Sequence, residues 1–291
     1  MFVAILMTDP SNPSLDLTLI NSLRNAWGGE EVQWLAMDEA AQFALQTIPD
    51  NRWEVWENLQ SLGVDLVILP SQNRIKKILL ADMDSTMIQQ ECIDELANEA
   101  GVGARVTEIT AKAMNGELNF ESALTERVRL LEGLDERVIQ KVITERIVLM
   151  PGGKALLATM KAEGAYSALV SGGFTAFTAE IAAKLGFDEN HANTLLSAGG
   201  LLTGKVKSPI LGKEAKVRAL HEITTRLGLV HDDVMAVGDG ANDLGMLKLA
   251  GAGVALHAKP SVGAQCDIRI NHGDLTALLY IQGYEKSRFQ T

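Results

Sequence analysis

Ile78-Leu79-Leu80-Ala81-Asp82-Met83-Asp84-Ser85-Thr86 decides how the whole chain is read. Four apolar residues run straight into D-x-D-x-T, the pattern of a buried parallel strand whose carboxyl end opens into a crevice. Two acids one residue apart leave a strand on the same face, so Asp82 and Asp84 are expected to point one way. One can then serve as nucleophile or metal ligand while the other moves a proton. A bare D-x-D is a weak signal that also occurs in solvated turns, so the decision falls to the rest of the chain.

Outward from this stretch, two more strand ends carry polar punctuation. Ser167 to Val170 runs into Ser171-Gly172-Gly173, and Val234 to Val237 runs into Gly238-Asp239-Gly240-Ala241-Asn242-Asp243. Helices are expected over Leu156 to Glu163, Thr175 to Leu185 and Lys213 to Leu227, a further strand over Gly253 to Leu256, and a hairpin within Leu196 to Leu211. Such alternation predicts an α/β fold built on a doubly wound parallel sheet. Ile88 to about Val148 is almost wholly helical, punctuated by Gly101, Gly103, Gly116 and Gly133, with Asn119 and Asp135 as N-caps of four short helices. It reads as a cap, about residues 87–150, inserted after the first strand of that sheet. Residues 1–74 form a separate small α/β unit, with strands over Phe2 to Met7, Glu31 to Ala36 and Val64 to Leu69. Helices over Leu15 to Trp27 and Arg52 to Leu62 alternate with them, and polar Asn73 to Lys77 links this unit to residues 75–291.

Composition excludes several classes. With 47% hydrophobic and 22% charged residues among 291, the chain is an ordinary globular protein. A net charge of −11 argues against a nucleic-acid partner, which needs a basic footprint. Cys92 and Cys266 form no C-x-x-C, and the histidines show no H-E-x-x-H spacing. The apolar start Met1 to Met7 lacks a basic flank and stops at Asp9-Pro10, so no signal peptide is expected. No apolar stretch is long enough for a bilayer. The expected setting is cytoplasmic, with no membrane partner.

The three strand ends would gather four acids, a hydroxyl and free backbone N–H groups on one rim. Carboxylates that close raise one another's pKa unless a cation sits between them, and oxygen-only ligands favour Mg²⁺. Arg127 lies within the apolar stripe of Phe120, Ala123, Leu124, Val128 and Leu131, where a buried cation needs an anion. Periodicity alone sets Glu91 opposite its helix's apolar stripe, as a solvated acid. Lys213 and Lys216 both sit in a helix's first turn, where the dipole gives a lysine nothing, and periodicity does not choose between them. Two near-motifs fail: Gly199 to Val206 nearly spells a phosphate loop but ends in Val206, and the Gly238 run ends in Asp243 where a dinucleotide fingerprint has glycine.

These motifs resemble those of the haloacid-dehalogenase-like phosphatases, and most closely the phosphoserine-hydrolysing branch. Asp82-Met-Asp-Ser-Thr86 with Glu91, the run Asn119 to Val128, Val170 to Phe174 and Val237 to Asp243 carry the resemblance over roughly residues 75–285. It implies hydrolysis of O-phosphoserine, the last step of serine biosynthesis, with Asp82 as nucleophile and Asp84 as acid and base. It further implies Mg²⁺ held by Asp82, the Asp84 carbonyl, Asp239 and Asp243, and phosphate held by Ser171, Gly172, Lys216 and Asn242. On the cap, Glu91 would meet the substrate ammonium and Arg127 its carboxylate, with Met114 and Phe120 walling the pocket. The first unit's element order resembles an ACT-like regulatory module without a glycine-marked ligand loop. Expected partners are the small-molecule substrate and at most a second copy of the chain. The competing readings are a phosphatase or phosphotransferase for another small phosphorylated amine or acid, an amino-acid-responsive binding protein, and a phospho-aspartate switch.

Overall fold

The computed structural model describes residues 1–290 apart from 115–117 and the side chain of Met114. The first unit runs β1 (Phe2–Met7), α1 (Leu17–Trp27), β2 (Gln33–Ala36), β3 (Ala40–Leu45), α2 (Arg52–Gln60) and β4 (Asp65–Pro70). Its sheet has the order β2-β3-β1-β4, and β1 pairs antiparallel with both neighbours. The sequence reading lacks β3. Ala-Ala-Gln-Phe-Ala-Leu has no β-branched residue, and the turn before it is made by Asp38 at φ 58° rather than by a glycine.

Strand β5 (Ile78–Ala81) opens the second sheet. The cap follows as α3 (Cys92–Glu99), α4 (Gly103–Met114), α5 (Phe120–Arg129) and α6 (Arg137–Glu145), the four helices expected. Asn119 caps α5, accepting from the N–H groups of Glu121 and Ser122. Asp135 does the same one residue further out, accepting the Arg137 N–H at 2.9 Å. The chain continues through α7 (Gly153–Ala162), β6 (Tyr166–Phe174), α8 (Thr175–Leu185), β7 (Glu189–Asn193) and the hairpin of β8 (Leu195–Ala198) and β9 (Leu201–Val206). It ends with α9 (Lys213–Leu227), β10 (Val234–Gly238), α10 (Leu244–Leu249), β11 (Ala252–Leu256), α11 (Pro260–Gly263), β12 (Ile268–Ile270) and α12 (Ala277–Gln282).

The six strands of this sheet lie in the order β12-β11-β10-β5-β6-β7, every pair parallel. Chain order runs outward one way from β5 through β6 and β7, and the other way from β10. The switch point therefore lies between β5 and β10, where doubly wound sheets open a crevice. All four residues of β5 and all five of β10 are buried, so these runs show no alternation and depend on helices covering both faces.

Two sets of contacts join the parts of the chain. The hairpin leaves the core and hydrogen-bonds the cap: Gly133 N to Leu202 O at 2.8 Å, Leu202 N to Leu134 O at 2.8 Å, and Glu136 N to Gly200 O at 2.9 Å. Gly204 in β9 is required by close approach, since a Cβ there would lie 2.9 Å from the Glu132 Cβ. The first unit is likewise joined to the core. Ala4 and Leu6 face its own helices, whereas Val3, Ile5 and Met7 belong to one apolar cluster with Leu278 and Tyr280. Asp65, fully buried, accepts the N–H groups of Asn271, His272 and Gly273 at 2.9, 3.0 and 2.8 Å. Two polar residues of the linker turn inward: Arg74 donates to the carbonyls of Tyr280 and Ile281, and Lys76 is 5% exposed.

Candidate active site

Strand β5 delivers Asp82 beside β10, its N–H bonded to the Val237 carbonyl at 3.0 Å. The strand ends at Ala81, so the pleat does not aim the second acid. The chain turns instead, with the N–H groups of Thr86, Met87 and Ile88 converging on the Met83 carbonyl and Ser85 at φ 54°. Asp84 is aimed by α3: its Oδ1 accepts the Cys92 N–H at 2.8 Å, and its Oδ2 accepts the Ser171 hydroxyl at 3.3 Å. Both acids face a cleft of about 610 Å³ between cap and core, with Glu91, Phe120, Arg127, Ser171, Gly172, Asp239 and Asn242. Of the residues expected from sequence, Lys216 and Asp243 lie buried beneath it, and the Met114 side chain lies outside the described residues.

Asp82, Asp239 and Asp243 each offer a carboxylate oxygen, all within 4.8 Å of one another. Lys216 bridges two of them, its Nζ 2.6 Å from Asp82 and 2.5 Å from Asp243. Lys216 is thus the lysine in contact with the acids, whereas Lys213 stays exposed at the rim of the cleft. Burial alone would lower the ammonium's pKa, but the two carboxylates raise it above its ordinary value. One cation does not neutralise three acids. Burial and the Asp243 charge raise the Asp82 pKa well above the usual carboxylate range and push Asp239 up to about 7. An oxygen-only donor set with unbalanced negative charge is what a hard divalent cation fits. Asp84 stands apart, its carboxyl raised chiefly by burial.

Around the acids, Gly172 and Phe120 are in close contact, for a Cβ on Gly172 would lie 2.8 Å from the ring's Cζ. The cap thus sits down on the core in this structure. Glu91 is not on the helix face that periodicity assigned to it. It is the N-cap of α3, half-buried, and accepts the Ser85 hydroxyl at 2.7 Å. Burial, with the nearby Asp84 charge, pushes its pKa up to about 8. Arg127 is buried at 7% exposure and forms no ion pair among the described residues. Its Nε donates to the Ala123 carbonyl at 3.3 Å and its Nη1 to the Thr110 hydroxyl at 3.0 Å. Burial lowers its pKa, opposed by Glu91, Asp94 and Asp84.

Three supporting residues escaped the sequence reading. Thr86, fully buried, donates to Asp239 at 3.2 Å, and its place in D-x-D-x-T was the available signal. Thr110 fell in a helical block with nothing to distinguish it. Asn193 donates to the carbonyls of Gly172 at 2.9 Å and Leu211 at 3.1 Å, fixing the irregular carboxyl end of β6. It ends β7, whose Glu-Asn-His-Ala-Asn sequence carries no strand signal.

This geometry agrees with what comparison finds. The model of the haloacid dehalogenase-like hydrolases matches residues 79–248, and the chain belongs to that family. Its similarity narrows further, to phosphoserine phosphatases. The phosphoserine phosphatase of Archaeoglobus fulgidus is 42% identical over 221 residues, 75% of this chain and 64% of that one, so the match spans under two thirds of that relative. A solved phosphoserine phosphatase described as a phospho-aspartyl intermediate analogue superposes with a TM-score of 0.67 at 42% identity, covering 71% of this chain and 98% of that chain. A HAD family hydrolase from Salmonella enterica serovar Typhi superposes with a TM-score of 0.86 at 30% identity, over 96% of this chain and 97% of that one. That likeness takes in the first unit as well.

Proposed function

We propose that the chain hydrolyses O-phosphoserine to serine and phosphate through an aspartyl-phosphate on Asp82. The observation that carries this is the cap's charge pair: Glu91 and Arg127, which has no ion-pair partner among the described residues, line the same cleft as Asp82. An ammonium beside Glu91, a carboxylate on Arg127 and a phosphoryl group at Asp82 together describe a phosphorylated amino acid.

On this reading an Asp82 oxygen attacks phosphorus while the bond from phosphorus to the serine oxygen breaks. Asp84, whose raised pKa suits it to holding a proton, gives that proton to the departing oxygen. Water then attacks the aspartyl-phosphate, Asp84 takes its proton, and phosphate leaves. Ser171, the Gly172 N–H, Lys216 and Asn242 bind the phosphoryl oxygens, and Phe120 closes over them. Mg²⁺ would be held by Asp82, Asp239, Asp243 and the Asp84 carbonyl, where it supplies Lewis-acid stabilisation of developing charge. Phosphate-monoester hydrolysis can demand a rate enhancement on the order of 10²¹, which no single donor gives but several preorganised charges together do.

The reaction would close serine biosynthesis, in the cytoplasm. Among the described residues no helix is long and apolar enough to cross a membrane, and both cysteines are free and buried. The division into a regulatory unit (1–74) and a phosphatase unit (75–291) belongs to the same proposal.

The test is phosphate release from phosphoserine, phosphothreonine, phosphoethanolamine and an aryl phosphate, with Mg²⁺ and with chelator. Phosphoserine should give the highest kcat/KM and depend on the cation, and Asp82→Asn should be folded but inactive. Turnover by that variant, or preference for a substrate lacking the carboxylate, removes the proposal.

A further inference from the structure

Asp94, Thr110 and Arg127 stand on three different cap helices, α3, α4 and α5, and are joined in series. Arg127 Nη1 donates to Thr110 Oγ1 at 3.0 Å, and that hydroxyl donates to Asp94 Oδ1 at 3.2 Å. A hydroxyl has one proton to give. Because Thr110 spends it on Asp94, its lone pairs are left to the guanidinium, and the direction of both bonds is fixed. Thr110 is 5% exposed and Arg127 7%, so water does not substitute readily for either contact.

The guanidinium has five N–H donors in a planar fork. Its Nε is turned back to the Ala123 carbonyl of its own helix, which removes the side edge from use. Thr110 takes one of the two Nη1 protons, which leaves the second Nη1 proton and both on Nη2, and a carboxylate takes an edge of this kind with two parallel bonds. We propose that Thr110 and Asp94 are positioning residues that hold Arg127 with this edge toward the cleft and so set the preference for substrates bearing a carboxylate. This inference rests on the proposed role of Arg127.

Among the described residues no acid pairs with Arg127 directly, and the relay accounts for that. A carboxylate paired with the fork would compete with the substrate's own carboxylate for the same donors. The interposed hydroxyl orients the cation through a single Nη1 proton and brings no charge of its own. Ordering the arginine before substrate arrives also reduces the freedom lost on binding.

The test compares kcat/KM for phosphoserine with that for phosphoethanolamine, which lacks only the carboxylate, as a ratio within each variant. Thr110→Val keeps the shape and removes the hydroxyl, and should lower the ratio about tenfold, chiefly through KM for phosphoserine. Asp94→Ala should act in the same direction, and Thr110→Ser should restore the parent ratio. Arg127→Ala sets the scale, at about a hundredfold. The positioning role is overturned if Thr110→Val slows both substrates equally, leaves the ratio unchanged, or is not rescued by serine while Arg127→Ala remains selective. An unselective Arg127→Ala overturns instead the underlying assignment of Arg127. Thermal midpoints of each variant separate these outcomes from misfolding.

Discussion

Replacing Lys216 by methionine tests the electrostatic account of the site. The side chain is 2% exposed, and its carboxylate partners Asp82 and Asp243 are 7% and 0% exposed. Methionine fills similar space but leaves these acids, with Asp239 alongside, facing one another with no cation. Removing one member of a buried ion pair costs about 3–5 kcal/mol, because the other charge stays buried and uncompensated. For a chain of this size that corresponds to a fall in Tm of roughly 6–20 °C. The measurement is thermal unfolding followed by circular dichroism, in chelator, at about pH 8, where the acids are most charged. The loss should shrink at about pH 5.5, since Asp82 and Asp239, both raised, can then take up protons. Added Mg²⁺ should recover part of it. A fall below about 2 °C at the higher pH would refute the view that this ammonium neutralises the buried acids.

Two pH effects follow from the same groups. Asp239 is raised to about 7, so in the metal-free protein it contributes stability that is present below the ordinary carboxylate pKa and lost as pH rises through about 7. A divalent cation competes with that proton; titration calorimetry should show Mg²⁺ binding tighter at about pH 8 than at about pH 6, and a flat profile counts against the site. Glu91 is raised to about 8, and only its anion can take the substrate ammonium. KM for phosphoserine should therefore fall as pH rises through about 8, and Glu91→Gln should abolish that slope; an unchanged slope means another group is titrating.

The site was more legible in the sequence than the elements around it. Asp82, Ser171 and Asp239 each follow a short apolar run, and burial of such runs in a parallel sheet puts their carboxyl ends on one rim whatever the helices do. Glu91 was misplaced because periodicity presumes that the residue lies inside the helix, whereas it precedes the first turn. Lys213 and Lys216 share a helix face, and only the depth at which the core meets that face separates them. Arg74 and Lys76 look like a solvated linker in one dimension. Their partners are backbone carbonyls more than 150 residues away, a kind of contact that leaves no pattern in local sequence. Strands β3 and β7 were missed for a related reason: their neighbours hold them in the sheet, and their own composition does not.

The hairpin's grip on the cap has a mechanical consequence. Cap and core touch at Phe120 and Gly172, so any lifting of the roof has to part that contact. The roof is tethered twice, through the chain crossings at its own ends and through the β8–β9 hairpin, which leaves the core after β7. It can rise only by tearing three main-chain bonds or by carrying the hairpin along as a single stiff flap. The second course leaves those bonds intact and puts the pivots at the roots of both excursions. One root is the Leu211 segment pinned by Asn193, the residue that also clasps the Gly172 carbonyl. Movement of the roof and the set of the backbone at Gly172 are thereby joined at one amide.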